Sequence, residues 1–210
     1  MLIHSNNKPV RILGLGFIAH EICDYLRMEH IEAECIDIDT ALQDNNRDCY
    51  QYLIGTAKNT SKRQQIINWV DNNKLNSPSF IHPQSNVHQS AIVGFGIICY
   101  PFSLILGSAE VKDHVLIGPY CHVGHNALID IGTVLLPYSF VLGSSSTGKF
   151  TVLQTRANLI DHITISADYV NILATSMVTK NIDISGTYGG IPARFINSKT
   201  SLTSDYFITK

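Results

Sequence analysis

The stretch ILGSAEVKDHVLIGPYCHVGHNALI, residues 105–129, carries an aliphatic residue at every sixth position. The count extends from Ile81 to Ile165, and fourteen of its fifteen positions are aliphatic or cysteine, with Thr147 as the exception. A period of six fits neither a helix nor an alternating strand; it is typical of a parallel β-helix, in which each short strand buries one aliphatic side chain and then turns a corner. The series is Ile81, Val87, Val93, Cys99, Ile105, Val111, Ile117, Val123, Ile129, Leu135, Val141, Thr147, Leu153, Leu159 and Ile165.

With three faces to a coil, eighteen residues complete one turn, and equivalent positions in successive coils stack about 4.8 Å apart. Past Ile165 the phase slips by one residue, to Ile172, Val178 and Ile184, which indicates a bulge in the last coils. Residues 142–149 are small and polar, and we expect that corner to bulge outward or to shape a cofactor groove.

Composition excludes several classes of function. The 210 residues carry a formal net charge of −2, which gives no electrostatic footprint for nucleic acid or an anionic membrane. No apolar run is long enough to span a bilayer, and no signal sequence is recognisable. The five cysteines lack CxxC spacing, and Cys99 and Cys121 fall in the core series. These features predict a reducing, cytoplasmic setting without disulfides.

Residues before the repeat have a different pattern. Strands are predicted at Val10–Leu13, Glu34–Asp39, Tyr50–Gly55 and Ser79–Ile81, with a helix around Ala19–Leu26 and another from Thr60 or Ser61 to Asn72-Asn73. This alternation implies a small parallel sheet of Rossmann type, about 75 residues long.

The turn Gly14-x-Gly16-x-x-Ala19 follows the first of these strands. Its glycines permit a tight turn and let backbone N–H groups at a helix N-terminus approach a diphosphate. Asp37 or Asp39 is placed to accept a hydrogen bond from a ribose hydroxyl or a base. Because the domain is too short for a second half, a mononucleotide or nucleotide-sugar diphosphate is favoured over NAD; a tight turn without a ligand is the alternative.

His125 is the candidate general base. Stepping by eighteen residues places Gly107 below it, Gly143 above it and Asp161 two coils above. A thioester could lie against the bare backbone at Gly143, whose N–H would stabilise an oxyanion, while a neutral imidazole accepts a proton from an attacking amine or hydroxyl.

These motifs resemble the left-handed β-helix acyltransferases of nucleotide-linked sugars, a group that includes bacillosamine-pathway N-acetyltransferases and sialic acid O-acetyltransferases. The resemblance covers nearly the whole chain. It is carried by the hexapeptides and by the motifs Gly14-x-Gly16-x-x-Ala19-x-Glu21, Asp37 and Asp39, Ile54-Gly55-x-x-x-Asn59 with Lys62-Arg63, Ile81-His82-Pro83, Gly124-His125-Asn126 and Gly190-Ile191-Pro192-Ala193-Arg194.

The resemblance implies an α/β Rossmann-like domain at 1–80 that binds a nucleotide-sugar, a left-handed β-helix acyltransferase domain at 81–196, and a tail at 197–210. It implies catalysis by His125 and Gly143 with Asn126 beside them, and a homotrimer that binds acetyl-CoA between subunits and uses no metal. The implied sugar site comprises Gly14, Gly16, Phe17, Ile18, Asp37, Asp39, Gly55 and Asn59, and the implied CoA site comprises Gly143, Gly190, Ile191, Pro192, Ala193 and Arg194.

Two departures stand out. Related enzymes often have an acid directly after the catalytic histidine, whereas this chain has Asn126, which can orient an imidazole but offers no charge; Asp161 or Asp130 could compensate. Bulky Phe17 and Ile18 replace the usual small or polar residues of the glycine turn.

The sequence favours N-acetylation of a nucleotide-linked deoxyamino sugar by direct attack, without an acyl-enzyme. An O-acetyltransferase of a sialic-acid-like sugar and a non-catalytic nucleotide-sugar-binding trimer are the alternatives. The many histidines also suggest a trimeric zinc hydratase, which the N-terminal domain disfavours. His82, His88 and His114 are expected to be solvated corner residues.

Overall fold

The predicted β-helix is confirmed. A computed structural model describes residues 1–3, 5–57 and 59–199, and these form a β-solenoid of about six turns with an α/β unit packed on one side. Most solenoid strands are two residues long, and the second residue of each points into one continuous apolar core. The left-handed coil that the resemblance implies remains a prediction.

The solenoid has three faces. The first contains β5 Ser79–Ile81, β8 Ile98–Cys99, β11 Leu116–Ile117, β14 Val134–Leu135, β16 Val152–Leu153, β18 Val170–Ile172 and β20 Gly186–Gly189, edged by β1 Leu2–Ile3 and β21 Arg194–Asn197. The second contains β6 Asn86–Val87, β9 Leu104–Ile105, β12 His122–Val123, β15 Phe140–Val141, β17 Asn158–Leu159 and β19 Met177–Val178. The third contains β7 Ile92–Val93, β10 Glu110–Val111 and β13 Leu128–Ile129.

Strand register confirms the repeat of eighteen and its later slip. Val123 pairs with Val141 and Val141 pairs with Leu159, whereas Leu153 pairs with Ile172, one residue further along. The extra residue lies in the corner after Ile165, as the phase of the aliphatic series predicts, and Ile172 and Val178 are in the core. The prediction for Ile184 is wrong: it is exposed, and Ile182 pairs with Ile165 and enters the core instead.

The corner at residues 142–149 does not bulge, contrary to expectation. Ser146 bridges Leu128 below and Thr164 above, so the third face continues through this coil. Thr147 is buried, and its hydroxyl accepts a hydrogen bond from the Asp130 N–H at 3.0 Å. A threonine therefore replaces an aliphatic residue because backbone polar groups satisfy its hydroxyl.

The N-terminal unit has a three-stranded parallel sheet in the order β3-β2-β4, formed by β2 Val10–Leu13, β3 Ala33–Ile36 and β4 Gln51–Ile54. Its helices are α1 Phe17–Met28, α2 Ile38–Gln43 and α3 Thr60–Asn72, with a short 3₁₀ turn at Arg47–Cys49. The Rossmann-like assignment and the domain boundaries stay proposals.

The prediction that Ser79–Ile81 is the last strand of this small sheet is wrong. That strand pairs in parallel with Ile98–Cys99 of the solenoid and antiparallel with Leu2–Ile3. Its Phe80 and Ile81 provide the first layer of the solenoid, which needs a starting strand to cover the coil above.

The predicted strand Glu34–Asp39 ends early. Strand β3 stops at Ile36, and Asp37 is the N-cap of α2, where its carboxylate accepts a hydrogen bond from the Asp39 N–H at 3.2 Å. Aspartate favours this capping geometry, so the chain turns into a helix where alternating apolar residues suggested a continued strand.

Arg63 of α3 joins the two parts of the molecule. Its guanidinium is fully buried and donates to the backbone carbonyls of Ile54 and Thr56 in the α/β unit and of Gly132 and His114 in the solenoid. Burial lowers the pKa of Arg63 to about 9. These bonds fix how the α/β unit sits on the solenoid.

His114 is buried at the same junction, so the expectation that it is solvated is wrong. Only 2% of its surface is exposed, and its Nε2 lies 3.0 Å from the Asp71 carboxylate of α3. His88 is exposed, as expected, and His82 is half-buried against Tyr25 and Phe80.

The solenoid ends in an antiparallel hairpin formed by β20 and β21. The predicted tail 197–210 is described only to Lys199, so the rest of it lies outside the described residues. No helix in the described ranges is long and apolar enough to cross a bilayer. All five cysteines are free, and Cys99 and Cys121 are buried in the core as predicted.

Candidate functional site

His125 stands at the corner between the second and third faces, and the predicted stacking above it is confirmed. A Cβ built on Gly143 would lie 2.6 Å from His125 Nε2 and 3.0 Å from Asp161 Oδ1. The absence of a side chain at residue 143 therefore lets the imidazole and the carboxylate both lie close to this backbone, and the place between the two side chains is called the notch below. His125 and Asp161 are both exposed to solvent in this single chain.

Asn126 contacts the catalytic candidate directly. Its Nδ2 lies 3.1 Å from His125 Nδ1. Asn126 has a φ of 55°, the left-handed conformation also adopted by Ser108, Ser144 and His162 at the same corner of other coils. Asparagine tolerates this conformation better than most residues. An amide can present either nitrogen or oxygen to the ring, so unlike a carboxylate it does not dictate the imidazole tautomer.

The backbone of Gly143 forms the floor of the notch. Its carbonyl accepts a hydrogen bond from the His162 N–H at 3.0 Å, and the Ser144 N–H donates to the His125 carbonyl at 2.8 Å. No hydrogen bond between described residues uses the Gly143 N–H. That donor is therefore available for a further hydrogen bond.

A second site lies on the α/β unit, where β2 and β4 end. A cleft of about 510 Å³ is lined by Gly14, Leu15, Gly16, Phe17, Ile18, Asp37, Gly55, Thr56, Ala57, Asn59 and Lys62. The structure thus brings together seven of the eight predicted sugar-site residues. Asp39 is not among them, because it lies in the first turn of α2 and faces solvent.

Two glycines shape this cleft in different ways. A Cβ on Gly55 would lie 2.6 Å from Ala19 Cβ, so a side chain there would push α1 away from β4. A Cβ on Gly16 would meet nothing within 4 Å, so this backbone is open to the cleft. Gly16 is also the N-cap of α1 and provides no side-chain hydrogen bond, which leaves the first N–H groups of α1 available.

Leu15, Thr56 and Ala57 line the cleft without having been predicted, and Lys62, which the sequence motifs included, also lines it although it was not assigned to the sugar site. Lys62 Nζ lies 3.8 Å from Asp37 Oδ1, and the Asn59 side chain caps α3 by accepting from the Lys62 N–H at 2.9 Å. The available signal was the position of Lys62 three residues after a helix cap, which puts it in the first turn of α3, at the carboxyl end of the sheet.

The predicted CoA turn forms the tip of the C-terminal hairpin. The Ala193 N–H donates to the Met177 carbonyl at 2.7 Å, so the turn lies against the upper end of the second face. Ala193 and Arg194 line a groove of about 230 Å³ that also contains Lys180, whereas Gly190, Ile191 and Pro192 do not line it. Register places Lys180 one coil above Asp161, in the column of His125.

Among residues 1–3, 5–57 and 59–199, no group of three or more His, Cys, Asp or Glu side chains is arranged to hold a metal ion.

No protein-family model matches the chain, and no curated protein matches it. Solved structures do match its fold. The acetyltransferase domain of PglB from Neisseria gonorrhoeae FA1090, in complex with acetyl coenzyme A, is 19% identical, with 91% of this chain and 100% of that one covered and a TM-score of 0.82. PerB from Caulobacter crescentus, in complex with CoA and GDP-perosamine, is 21% identical, with 94% and 100% covered and a TM-score of 0.81.

WeeI from Acinetobacter baumannii AYE is 13% identical, with 90% of this chain and 100% of that one covered and a TM-score of 0.64. At these identities the likeness concerns the fold, and it extends over the α/β unit as well as the solenoid.

Proposed function

We propose that this protein is an acetyl-CoA-dependent N-acetyltransferase that acts on the amino group of a nucleotide-linked deoxyamino sugar, a precursor of surface glycans. The observation that carries the proposal is the notch, where His125 Nε2 lies over the bare backbone of Gly143, 2.6 Å from the position that a Cβ on Gly143 would take. Structures of similar fold were solved with acetyl coenzyme A and with CoA and GDP-perosamine, which supports the choice of substrates.

In the proposed reaction the amine attacks the thioester carbonyl directly. The C–N bond forms, the Gly143 N–H donates to the developing oxyanion, and His125 Nε2 accepts the proton of the attacking nitrogen. The C–S bond then breaks, and the proton passes from His125 to the departing thiolate. For Nε2 to accept, the ring must carry its proton on Nδ1, which the Asn126 side chain can stabilise by presenting its oxygen.

The nucleotide-sugar would bind in the cleft of the α/β unit. Open backbone at Gly16, uncapped N–H groups at the start of α1 and the ammonium of Lys62 favour a diphosphate there. Asp37 would accept from a ribose hydroxyl or the base, and the side chains of Phe17 and Ile18 would pack against the nucleoside. Phe17 is 96% exposed in the single chain, so it is available for such a contact.

Lys62→Met should raise the Kd for the nucleotide-sugar by about 5- to 10-fold, because one charge-assisted hydrogen bond to phosphate is lost. Calorimetric titration with the nucleoside diphosphate alone measures the change in Kd that is due to the diphosphate contact. Lys112→Met, which removes a half-exposed lysine of the solenoid that pairs with Glu110, is the control and should leave Kd unchanged. Equal affinities for the two variants would show that Lys62 does not contribute to nucleotide binding.

The proposed active unit is a homotrimer, as the resemblance to the left-handed β-helix acyltransferases implies. The domain that carries the cleft packs on the first face of the solenoid, whereas His125 stands at the corner opposite that face. Cleft and base therefore lie on different sides of one chain, and a second copy could supply the base. Exposed aromatic side chains at the corner between the first and second faces, Phe102, Tyr120 and Tyr138, offer an apolar surface for contact between copies.

A mixing experiment tests this arrangement. A variant with a blocked cleft, Gly16→Asp, and a variant without the base, His125→Ala, should each lose most of their activity alone. Co-assembled after denaturation and refolding, they should regain a measurable share of wild-type activity, because some sites then combine an intact cleft with an intact His125. If the mixed variants assemble into trimers but regain no activity, cleft and base come from the same chain.

Acetyl-CoA would extend from the notch along the corner toward the C-terminal hairpin. Lys180 and Arg194 in the upper groove provide two cations for its phosphates, and the turn Gly190–Arg194 would contact the cofactor as the resemblance implies. A cytoplasmic location, where acetyl-CoA is available, belongs to the same proposal.

The test of the function is CoA release from acetyl-CoA by the purified protein, with UDP-, dTDP- and GDP-linked amino-deoxy sugars as acceptors. Release with one of them identifies the acceptor and the nucleotide together. Release only with sialic-acid-like sugars would favour O-acetylation. Binding of a nucleotide-sugar without release in any assay would favour the non-catalytic trimer, which the amide at Asn126 makes a real alternative.

A further inference from the structure

Asp161 shares the notch of His125 but has no partner there. Its Oδ1 lies 3.0 Å from the position of a Cβ on Gly143, and His125 Nε2 lies 2.6 Å from the same point. Among the described residues, Asp161 forms no hydrogen bond and no ion pair. An exposed carboxylate and an exposed imidazole thus converge on one small space without meeting each other.

The other acidic candidate, Asp130, is directed elsewhere. It lies at the corner between the third and first faces, and its Oδ1 accepts a hydrogen bond from the Ile131 N–H at 2.7 Å. The negative charge next to His125 therefore comes from Asp161, through the stacking of coils rather than from the residue that follows the histidine.

Resting on the proposed function, we propose that Asp161 selects an amine over a hydroxyl as the acetyl acceptor. A nitrogen atom placed in the notch, within hydrogen-bond distance of both side chains, donates one N–H to His125 Nε2 and another to the Asp161 carboxylate. Asp161 is then a residue that positions and selects the acceptor, while His125 remains the base.

The number of donors on the acceptor is what separates the two substrate classes. An amine keeps a second N–H after giving one to the base, whereas a hydroxyl has a single O–H, which the base must take. With a hydroxyl in the notch, the carboxylate would face only oxygen lone pairs and would repel them. A cationic ammonium would also be drawn to this carboxylate before it loses its first proton to solvent.

The experiment compares wild type with Asp161→Asn on matched acceptors, which are UDP-, dTDP- and GDP-linked amino-deoxy sugars and the same sugars with a hydroxyl in place of the amine. Steady-state CoA release gives kcat/KM, and calorimetry in the presence of CoA gives acceptor binding without turnover. Asp161→Asn should lower kcat/KM for the amine by roughly 10- to 50-fold, raise kcat/KM for the hydroxyl acceptor or leave it undiminished, and leave the KM for acetyl-CoA unchanged. Asp183→Asn, which replaces an exposed acid of the last coils, is the control and should change none of these kinetic values.

Each other outcome has a distinct meaning. An equal loss for amine and hydroxyl acceptors, or a rise in the KM for acetyl-CoA alone, would overturn the role of Asp161 while the proposed function stands. A binding preference for the amine that disappears in Asp161→Asn, without any acetyl transfer by wild type, would support the selection and refute the transferase. If wild type binds amine and hydroxyl sugars equally and transfers to neither, both proposals are refuted.

Discussion

His125→Ala is expected to lower kcat for acetyl transfer by about 10²- to 10⁴-fold while the KM for both substrates stays within a few-fold of wild type. The imidazole is the group on the notch that can accept a proton near neutral pH, and Gly143 would still bind the thioester oxygen in its absence. Residual activity should therefore come from binding and from the oxyanion contact alone. Steady-state CoA release at saturating substrate measures the change.

The matched control is His88→Ala, which removes an exposed histidine two coils lower near the same corner. This variant should keep wild-type kcat. Circular dichroism and sedimentation should show that both variants keep the fold and the assembly of wild type. A His125→Ala enzyme with undiminished kcat would eliminate general-base catalysis by this residue.

Arg63→Met is expected to reduce the free energy of unfolding by at least about 3 kcal/mol. The substitution removes a fully buried guanidinium and leaves the carbonyls of Thr56, Gly132 and His114 short of a donor in a region closed to water. Relief from burying a charge offsets part of this loss, but several charge-assisted hydrogen bonds outweigh it. Chemical denaturation, monitored by far-UV circular dichroism, measures the free energy of unfolding of each variant.

Arg156→Met provides the comparison, because Arg156 is exposed and its guanidinium lies over the Tyr138 ring, at 5.8 Å from the centroid. It should change stability by no more than about 0.5 kcal/mol. Arg63→Lys should fall between the two, since it keeps the charge and loses the fork of donors. Arg63→Met with wild-type stability would mean that the junction between α/β unit and solenoid does not depend on this side chain.

The solenoid could be predicted because its constraint is local and repeated. Every sixth residue must be buried, and counting by eighteen was enough to place Gly143 over His125 and Asp161 over Gly143. The same arithmetic found the slip after Ile165, since an extra corner residue shifts Ile172 and Val178, but it failed at Ile184, because the third face continues at Ile182.

Features that depend on contacts with residues distant in the sequence could not be predicted from the local pattern. Ser79–Ile81 has the same local pattern in a small parallel sheet as in a solenoid, and only its pairing with Ile98–Cys99 decides between them. His114 occupies a corner that is normally exposed, and it is buried because α3 packs over it with Asp71. Thr147 interrupts the aliphatic series, yet its coil is regular because Asp130 donates to its hydroxyl.

In the candidate site, the glycine turn identified most of its own cleft residues, but Lys62 comes from the first turn of α3 and Thr56 from the segment after β4, and these meet the turn only in three dimensions. Asp39 failed as a cleft residue because Asp37 caps a helix that turns the next residues outward.

The central claim is transfer of an acetyl group to the nitrogen of a nucleotide-linked sugar at the His125 notch. Mass spectrometry of the sugar after incubation with acetyl-CoA, for wild type and His125→Ala side by side, tests it most directly. We predict that wild type adds the mass of one acetyl group in a linkage that resists mild base, as an amide does, and that His125→Ala adds almost none. CoA release without a gain in sugar mass, or a base-labile ester product, would contradict the account.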